Sequence, residues 1–279
     1  MEQDLSSENE DKMPHDIQIA VATHKSYRMP SDSCYLPLHV GAELHPDICT
    51  DMQQDNEGEN ISDSNASYSE LTGLYWLWKN SDAAYKGLVH YRRHFRTINK
   101  DKRRAENRFE RIATADDFAD LFANNDAKVI VPNARNYVIE TIGNHYRHTL
   151  PGEQLDATRE TLATLFPEYL SAFDKEMNGT KAHMFNMLVA EAPVFDAYCS
   201  WLFPVLSNIE CRLGTKNYDA FNARWPGRIS EMLLDTWLMT NDIAWVEMPT
   251  VSPEPVNWYA KGKGFLGAKF LGKKYGKSF

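Results

Sequence analysis

Residues 55–95 contain a polar loop, an amphipathic helix and a short apolar strand, one directly after the other. This order constrains the fold more than any other part of the chain. Ser67 and Glu70 have the S-x-x-E spacing of a capping box at the start of the helix. Apolar residues then recur at i, i+3, i+4 and i+7, the spacing of a helix with one buried face: Leu71, Leu74, Tyr75 and Trp78. The sequence therefore predicts a helix that packs its apolar face against a sheet.

The strand after this helix ends in a run of basic residues. Residues 85–89 are predicted to form a core strand that delivers His90, Arg92 and Arg93 to its carboxyl end. Strand ends of this kind are where α/β proteins hold their ligands. Because successive side chains of a strand point to opposite faces, Arg92 is expected to share a face with His90 and Arg93 to turn away.

The rest of the chain alternates predicted strands with predicted helices. This alternation predicts an α/β fold in which helices flank a mixed, mostly parallel sheet, within a single domain of residues 16–255. The predicted strands are residues 17–22, 85–89, 128–132, 183–189 and 244–248. The predicted helices after residue 96 are residues 116–124, 154–177 with a break at 166–167, 193–212 and 228–239.

Two terminal segments differ in composition from this domain. Residues 1–15 are acidic and are predicted to be a disordered tail. The segment 256–279 is basic, with six lysines from Lys261 onward and interleaved aromatic residues, which is typical of a segment that lies on an anionic membrane surface. A disordered basic end is the alternative. The basic stretch 96–115 is likewise either a solvated face or a ligand clamp.

The overall composition excludes several classes of protein. A net charge of −9 argues against a nucleic-acid partner, because such proteins need a surplus of Lys and Arg to displace phosphate counterions. The four cysteines show no C-x-x-C spacing, so the pattern indicates neither a zinc site nor a redox motif. The N-terminus has no signal-peptide pattern and no run reaches the ~18 apolar residues of a membrane span. A cytoplasmic location, with at most peripheral membrane contact, is therefore predicted.

Several motifs together resemble a known family. They are DNxGxNIS at residues 55–62, ELTGLYWLWKN at 70–80, GLVHYRRHF at 87–95 and NML at 186–188. In this combination, and over about residues 17–250, the chain resembles the bacterial capsular and exopolysaccharide biosynthesis family of small glycosyltransferases. The resemblance implies a GT-A-like fold and transfer of a sugar from a nucleotide-sugar donor, with UDP as the expected carrier.

The resemblance also implies an acceptor and a catalytic base. The expected acceptor is a lipid-linked oligosaccharide at the inner face of the membrane, and some relatives are assigned to galactofuranosyl transfer. Family position makes Glu231 the candidate base. The family carries an arginine after this glutamate, where the chain has Met232, and Arg228 one helical turn earlier could substitute for it.

These arguments predict a specific set of site residues. His90, Arg92 and Glu231 are the predicted catalytic residues. No Asp-x-Asp motif stands at the end of the strand that carries His90, so cations of the protein are expected to stabilise the leaving diphosphate, without a metal or other cofactor. A divalent metal held by Asp55, Glu57 and Glu59 is the alternative. The predicted donor-binding residues are Thr23, His24, Lys25, Asp55, Asn60, Lys79, Arg93 and Asn186.

Structural explanations stay open for the same residues. His90 and Arg92 could form a buried pair that satisfies Glu70, and the acidic residues of the 55–60 loop could be solvated. Trp76 and Trp78 are interpreted as core residues rather than sugar-stacking platforms. At the level of function, the alternative is a non-catalytic carbohydrate-binding or scaffold protein of a polysaccharide assembly complex.

Overall fold

The computed structural model describes residues 16–214 and 216–254. The predictions for the acidic tail 1–15 and for the basic tail 256–279, including its contact with a membrane, fall outside these residues. Within them, no helix is long and apolar enough to cross a lipid bilayer.

The centre of the molecule is a seven-stranded sheet in the order β10-β6-β9-β4-β1-β2-β3. Its strands are β1 (Ile17–Thr23), β2 (Tyr35–His39), β3 (Gln53–Gln54), β4 (Tyr85–His90), β6 (Val129–Pro132), β9 (Leu188–Glu191) and β10 (Trp245–Met248). Two small two-stranded sheets pair β5 (His94–Phe95) with β11 (Thr250–Val251) and β7 (Arg135–Asn136) with β8 (Lys181–Ala182). The strand predicted for residues 244–248 is present as β10, at one edge of the main sheet.

Most neighbours in the main sheet run parallel. Strand β1 is parallel to both β2 and β4, β2 to β3, and β10 to β6, whereas β9 is antiparallel to both β4 and β6. The sheet is therefore mixed and mostly parallel, and the predicted fold class is confirmed.

Helices cover the sheet. They are α1 (Asn65–Tyr68), α2 (Leu71–Asn80), α3 (Ala115–Ala123), α4 (Ile142–Thr149), α5 (Gly152–Leu165), α6 (Leu170–Asn178), α7 (Ala192–Leu213) and α8 (Trp225–Thr240). Short 3₁₀ turns lie at Ser62–Ser64, Lys102–Arg104, Arg108–Arg111, Pro167–Tyr169 and Asn222–Arg224. The predicted break at residues 166–167 separates α5 from α6, because Pro167 opens a new turn there.

The central strand β1 shows how the sheet is held. Ala20 and Ala22 lie in the apolar layer that contains α2 and the helices from α4 to α8, whereas Ile19 and Val21 lie in the opposite layer with Phe118 of α3. All of these residues are buried, as expected of a parallel strand covered on both faces. Because β1 and β4 are buried on both faces, their polar ends are held in fixed positions at the carboxyl edge of the sheet.

Two local predictions were wrong. The helix predicted from Ser67 is split, because Ser69 takes the left-handed conformation (φ 53°) and separates α1 from α2, so Ser67 and Glu70 form no capping box. The strand predicted for residues 183–189 begins only at Leu188. The preceding segment instead takes left-handed turns at Phe185 (φ 84°) and Asn186 (φ 53°), which no regular strand contains.

Asp55 forms a buried polar node that ties the loop before α1 to the end of β2. Its carboxylate accepts hydrogen bonds from the backbone amides of Gly41 (2.9 Å) and Ala42 (3.0 Å). The hydroxyls of Ser62 (2.5 Å) and Thr72 (2.6 Å) donate to the same carboxylate. With no exposed surface, Asp55 is a structural residue and cannot touch a ligand in this conformation.

Replacing Asp55 with alanine should therefore destabilise the fold. The variant removes the acceptor that four buried donors share, and we expect the free energy of unfolding to fall by roughly 3 kcal/mol or more. Denaturant unfolding measures this change. The exposed Asp51→Ala variant is the matched control, and equal midpoints for the two variants would contradict the assignment.

Candidate functional site

The candidate site lies at the carboxyl edge of the sheet, where β1 and β4 end side by side. Ala22 of β1 pairs with His90 of β4 in the parallel register. Helix α2 precedes β4 along the chain and returns across the sheet, so its first turn near Glu70 lies at this same edge. Three segments therefore bring polar side chains to one place.

The residues after His90 do not continue the strand. Backbone hydrogen bonds from His90 N to Arg93 O (3.1 Å) and from Arg93 N to His90 O (2.8 Å) close a tight turn. The alternation argument was therefore wrong, because it requires an extended chain. Arg92 is exposed at the tip of the turn, whereas the half-buried Arg93 folds back toward Glu70 and Glu231.

Cations cluster around Tyr91 in this turn. The ring of His24 meets the Tyr91 ring edge-on at 5.4 Å between centroids, and Lys25 Nζ lies 5.3 Å from the centre of that ring. Arg92 and Arg224 lie close enough to act electrostatically on His24. Partial burial lowers the pKa of His24, and the neighbouring cations lower it further. This concentration of positive charge suits an anionic ligand.

Glu231 lies in α8 beside the turn. Burial, followed by the nearby charge of Glu70, raises the pKa of Glu231 to about 8. Arg93 and Arg135 oppose this shift, and the backbone amide of Phe185 donates a hydrogen bond to the carboxylate. A carboxylate with a pKa near neutrality is suited to accept a proton from a reacting hydroxyl.

Phe185 connects the turn to Glu231. His90 Nε2 donates to the Phe185 carbonyl oxygen at 2.5 Å, which puts a proton on Nε2 because a carbonyl can only accept. The guanidinium of Arg93 stacks on the Phe185 ring at 3.7 Å. One residue in a strained left-handed conformation thus contacts three members of the site, and strain of this kind is typical of functional sites.

A network around Asn186 fixes the first turn of α8. Asn186 Nδ2 donates to Glu70 Oε1 (2.7 Å) and to the Gly227 carbonyl (2.8 Å). The Ser230 hydroxyl lies 2.8 Å from Asn186 Oδ1. Asn186 is 5% exposed, so the structure gives it a positioning role between α2 and α8 rather than an open ligand contact.

Other predicted donor-binding residues lie away from this edge or are engaged. Lys79 is at the far end of α2, about 13 Å along the helix axis from Glu70, and pairs with Glu59 at 3.1 Å. Asn60 hydrogen-bonds within its own loop. Thr23 is 1% exposed and its hydroxyl donates to the Lys25 carbonyl. Of the predicted donor-binding residues, His24, Lys25 and Arg93 lie together with the predicted catalytic residues.

Three residues of the site were not in the predicted set: Glu70, Arg135 and Arg224. Arg228, named from the sequence as a substitute for the family arginine, also lies near Glu231. Topology could have found Glu70, because a helix that leads into a parallel strand starts at the carboxyl edge of the sheet. Arg228 stacks on Phe221 at 4.0 Å, and its two terminal nitrogens are buried without a hydrogen-bond partner in the described part of the chain. Arg135 and Arg224 carry no comparable sequence signal.

The described residues contain no group of three or more His, Cys, Asp or Glu side chains arranged to hold a metal ion. The acidic residues named as alternative ligands are separated in the structure. Asp55 is enclosed in its hydrogen-bonded node, whereas Glu57 accepts from Gln53 Nε2 and Glu59 pairs with Lys79.

Comparison with known proteins identifies the family. Residues 18–242 match the sequence profile described as "Domain of unknown function (DUF4422)". The chain belongs to this family. The matched region contains every element of the site, from the end of β1 to the first turns of α8.

A solved structure shares the fold of this DUF4422 chain. The apo structure of the WbbM bifunctional glycosyltransferase superposes with a TM-score of 0.73 at 24% sequence identity. The match covers 85% of this chain and 45% of that chain, so the protein spans about half the length of its structural relative. A search of curated proteins gave no significant match.

The partly buried position of Glu231 predicts a pH-dependent stability. With a folded pKa of about 8 and an ordinary value of 4.5, the folded state retains this proton where the unfolded state loses it. The stabilisation is therefore present below the ordinary value and is lost as the pH rises through 8. We expect the thermal midpoint of Glu231→Gln, relative to wild type, to be a few degrees higher at pH 9 than at pH 5. For the exposed control Glu106→Gln, the difference in thermal midpoint from wild type should be the same at both pH values. The same result for Glu231→Gln would contradict the prediction.

Proposed function

We propose that this protein is a glycosyltransferase that moves a sugar from a nucleotide-sugar donor, with UDP as carrier, to a glycan acceptor. The observation that carries the proposal is the meeting of a cation cluster with a proton-accepting carboxylate at one sheet edge. His24, Lys25 and Arg92 are suited to the donor diphosphate, and Glu231 is suited to the acceptor hydroxyl. The shared fold with WbbM supports the same class of reaction.

The proposed chemistry is a single displacement. The acceptor hydroxyl attacks the anomeric carbon of the donor, and the new carbon–oxygen bond forms as the bond from that carbon to the phosphate oxygen breaks. The hydroxyl proton passes to the Glu231 carboxylate, and the electron pair leaves with the nucleoside diphosphate. Arg92 and Arg93 stabilise the developing phosphate charge, because guanidinium groups bind phosphate oxygens in pairs.

In this scheme, His90 positions Phe185 and takes no part in proton transfer. Burial lowers its pKa, so its imidazole is neutral at physiological pH and keeps the hydrogen bond to Phe185. That bond holds Phe185 where its amide reaches Glu231. His90 is therefore proposed as a positioning residue and Glu231 as the base.

The proposal includes a biological setting. The family resemblance points to a lipid-linked oligosaccharide as the acceptor, in capsule, exopolysaccharide or O-antigen assembly, and to galactofuranose as one candidate donor sugar. We place the protein in the cytoplasm with peripheral contact to the inner membrane surface. Lysines of the 256–279 segment would supply that contact.

A non-catalytic carbohydrate-binding or scaffold protein is the second candidate. The buried Asn186 network and the Arg93–Phe185 stacking would serve a purely structural role equally well. A scaffold of this kind does not transfer sugar, and replacing Arg92, whose side chain is exposed, should leave its function unchanged.

The decisive experiment incubates the full chain with UDP-sugars and a lipid-linked acceptor fraction, with and without excess EDTA. We expect release of UDP with each new glycosidic bond, and transfer in EDTA, because protein cations occupy the strand end where metal ligands commonly stand. Absence of transfer from every UDP-sugar would contradict the function. Strict dependence on Mn²⁺ or Mg²⁺ would contradict only its metal-independent form.

Removing the charge at the tip of the turn should slow transfer without affecting the fold. Arg92 is exposed, so Arg92→Ala should keep the wild-type thermal midpoint while the transfer rate falls by roughly 10²–10³-fold. Arg104→Ala removes another exposed arginine, from the basic 96–115 stretch, and is the matched control. Equal rates for the two variants would show that Arg92 does not contact the donor.

A further inference from the structure

A cavity lies against α8, one helical turn beyond Glu231. It has a volume of about 370 Å³ and lies between β8, the end of α6, α8 and the edge strand β10. We call it the Trp245 cleft, after the aromatic residue at its mouth. Its lining includes Glu176, Thr180, His183, Asp235, Met239 and Trp245. The volume is at the lower end of the ~300–1,000 Å³ usual for small-molecule sites, which suits a ligand of about one sugar unit.

The floor of the cleft carries an unsatisfied polar group. Glu176 is 5% exposed, and its Oε2 accepts from the Thr236 hydroxyl at 2.9 Å. Its other oxygen, Oε1, is buried without a hydrogen-bond partner among the described residues. Buried polar atoms are rarely left unpaired, so this oxygen marks a position where a ligand hydroxyl could bind.

The polar groups beside Glu176 are already aligned. His183 Nδ1 lies 2.5 Å from Asp235 Oδ1, the His183 amide donates to Asp235 Oδ2 at 2.9 Å, and His183 Nε2 lies 3.2 Å from Glu247 Oε1. Burial alone would lower the pKa of His183, but its hydrogen bonds to Asp235 and Glu247 raise it above the usual value. Burial raises the pKa of Glu176 strongly. These contacts hold the carboxyl groups of Asp235 and Glu247 and the ring of His183 in fixed positions beside the unpaired oxygen of Glu176.

Trp245 supplies an apolar platform at the mouth. It is 40% exposed although it is a large aromatic residue, and its ring lies 6.1 Å from the His183 ring in an edge-on arrangement. Sugar rings present an apolar face of C–H groups and an edge of hydroxyls. The first matches an aromatic face, and the second matches carboxyl groups.

The position of the cleft relates it to the proposed transfer site. Glu231 and Asp235 are separated by four residues of α8, about 6 Å along its axis, and they lie on the same face. A sugar in the cleft would therefore lie close to one bound at Glu231. We propose that the Trp245 cleft binds a neutral sugar unit of the acceptor glycan, with Trp245 stacking on its ring and Glu176 bonding to a hydroxyl. This inference rests on the proposed glycosyltransferase function.

Fluorine NMR on protein labelled with 5-fluorotryptophan tests the inference directly. The probes are the methyl glycosides of glucose, galactose, mannose, rhamnose and N-acetylglucosamine, and Trp245→Phe assigns the Trp245 signal. We expect at least one glycoside to shift that signal saturably while other tryptophan signals stay in place. No shift with any of the five glycosides would overturn the inference.

Two variants separate recognition from folding. Glu176→Gln should lower the affinity for the glycoside by about tenfold while the circular dichroism spectrum stays unchanged. The amide keeps the shape of the side chain but changes its hydrogen-bonding groups. Leu165→Ala, at another exposed apolar residue, should bind as wild type does. Equal affinity of Glu176→Gln and Leu165→Ala would also overturn the inference.

A parallel thermal-shift titration with UDP distinguishes the two proposals. Stabilisation by UDP without any response of the Trp245 signal leaves the transferase function standing and rejects the sugar cleft. A saturable Trp245 response without stabilisation by UDP or transfer supports the cleft as a sugar site and rejects the transferase function.

Discussion

The hydrogen bond from His90 to the Phe185 carbonyl joins the two halves of the site, and the other contacts depend on it. His90 ends a strand that is buried on both faces, so its position is fixed by the core. Phe185 lies in a left-handed segment that follows β8 and is anchored at its neighbour Asn186. Through this bond, the position of the Glu231 carboxylate follows from the packing of the sheet.

The same arrangement costs folding free energy, because it places like charges close together and partly buries a cation. Glu70 and Glu231 lie close enough to raise the pKa of Glu231, while Arg93 is partly buried and has a lowered pKa. A folded protein tolerates such groups where function requires them, at a cost in stability. The Asp55 node instead stabilises the fold, because its buried carboxylate is fully hydrogen-bonded and holds the adjacent loops in place.

Strands and helices that follow from the spacing of apolar residues were predicted from the sequence. Features that depend on contacts between distant segments were not. The strand before His90 and the long helix after Pro193 follow from apolar spacing, and both are present. The left-handed residues Ser69 and Phe185 could not be predicted, because serine and phenylalanine rarely take this conformation unless their surroundings impose it. The burial of Asp55 was missed for the same reason, since its partners come from three separate segments.

In the proposed function, the cations around Tyr91 bind the donor diphosphate. Calorimetric titration with UDP-glucose and UDP-galactose near pH 6.5, in buffers of different ionisation enthalpy, tests it most directly. Burial and the neighbouring cations lower the pKa of His24, and a bound diphosphate offsets the effect of those cations. We therefore expect binding with net proton uptake, and loss of that uptake in His24→Ala. Absence of binding by both donors, or the same proton uptake in His24→Ala, would contradict it.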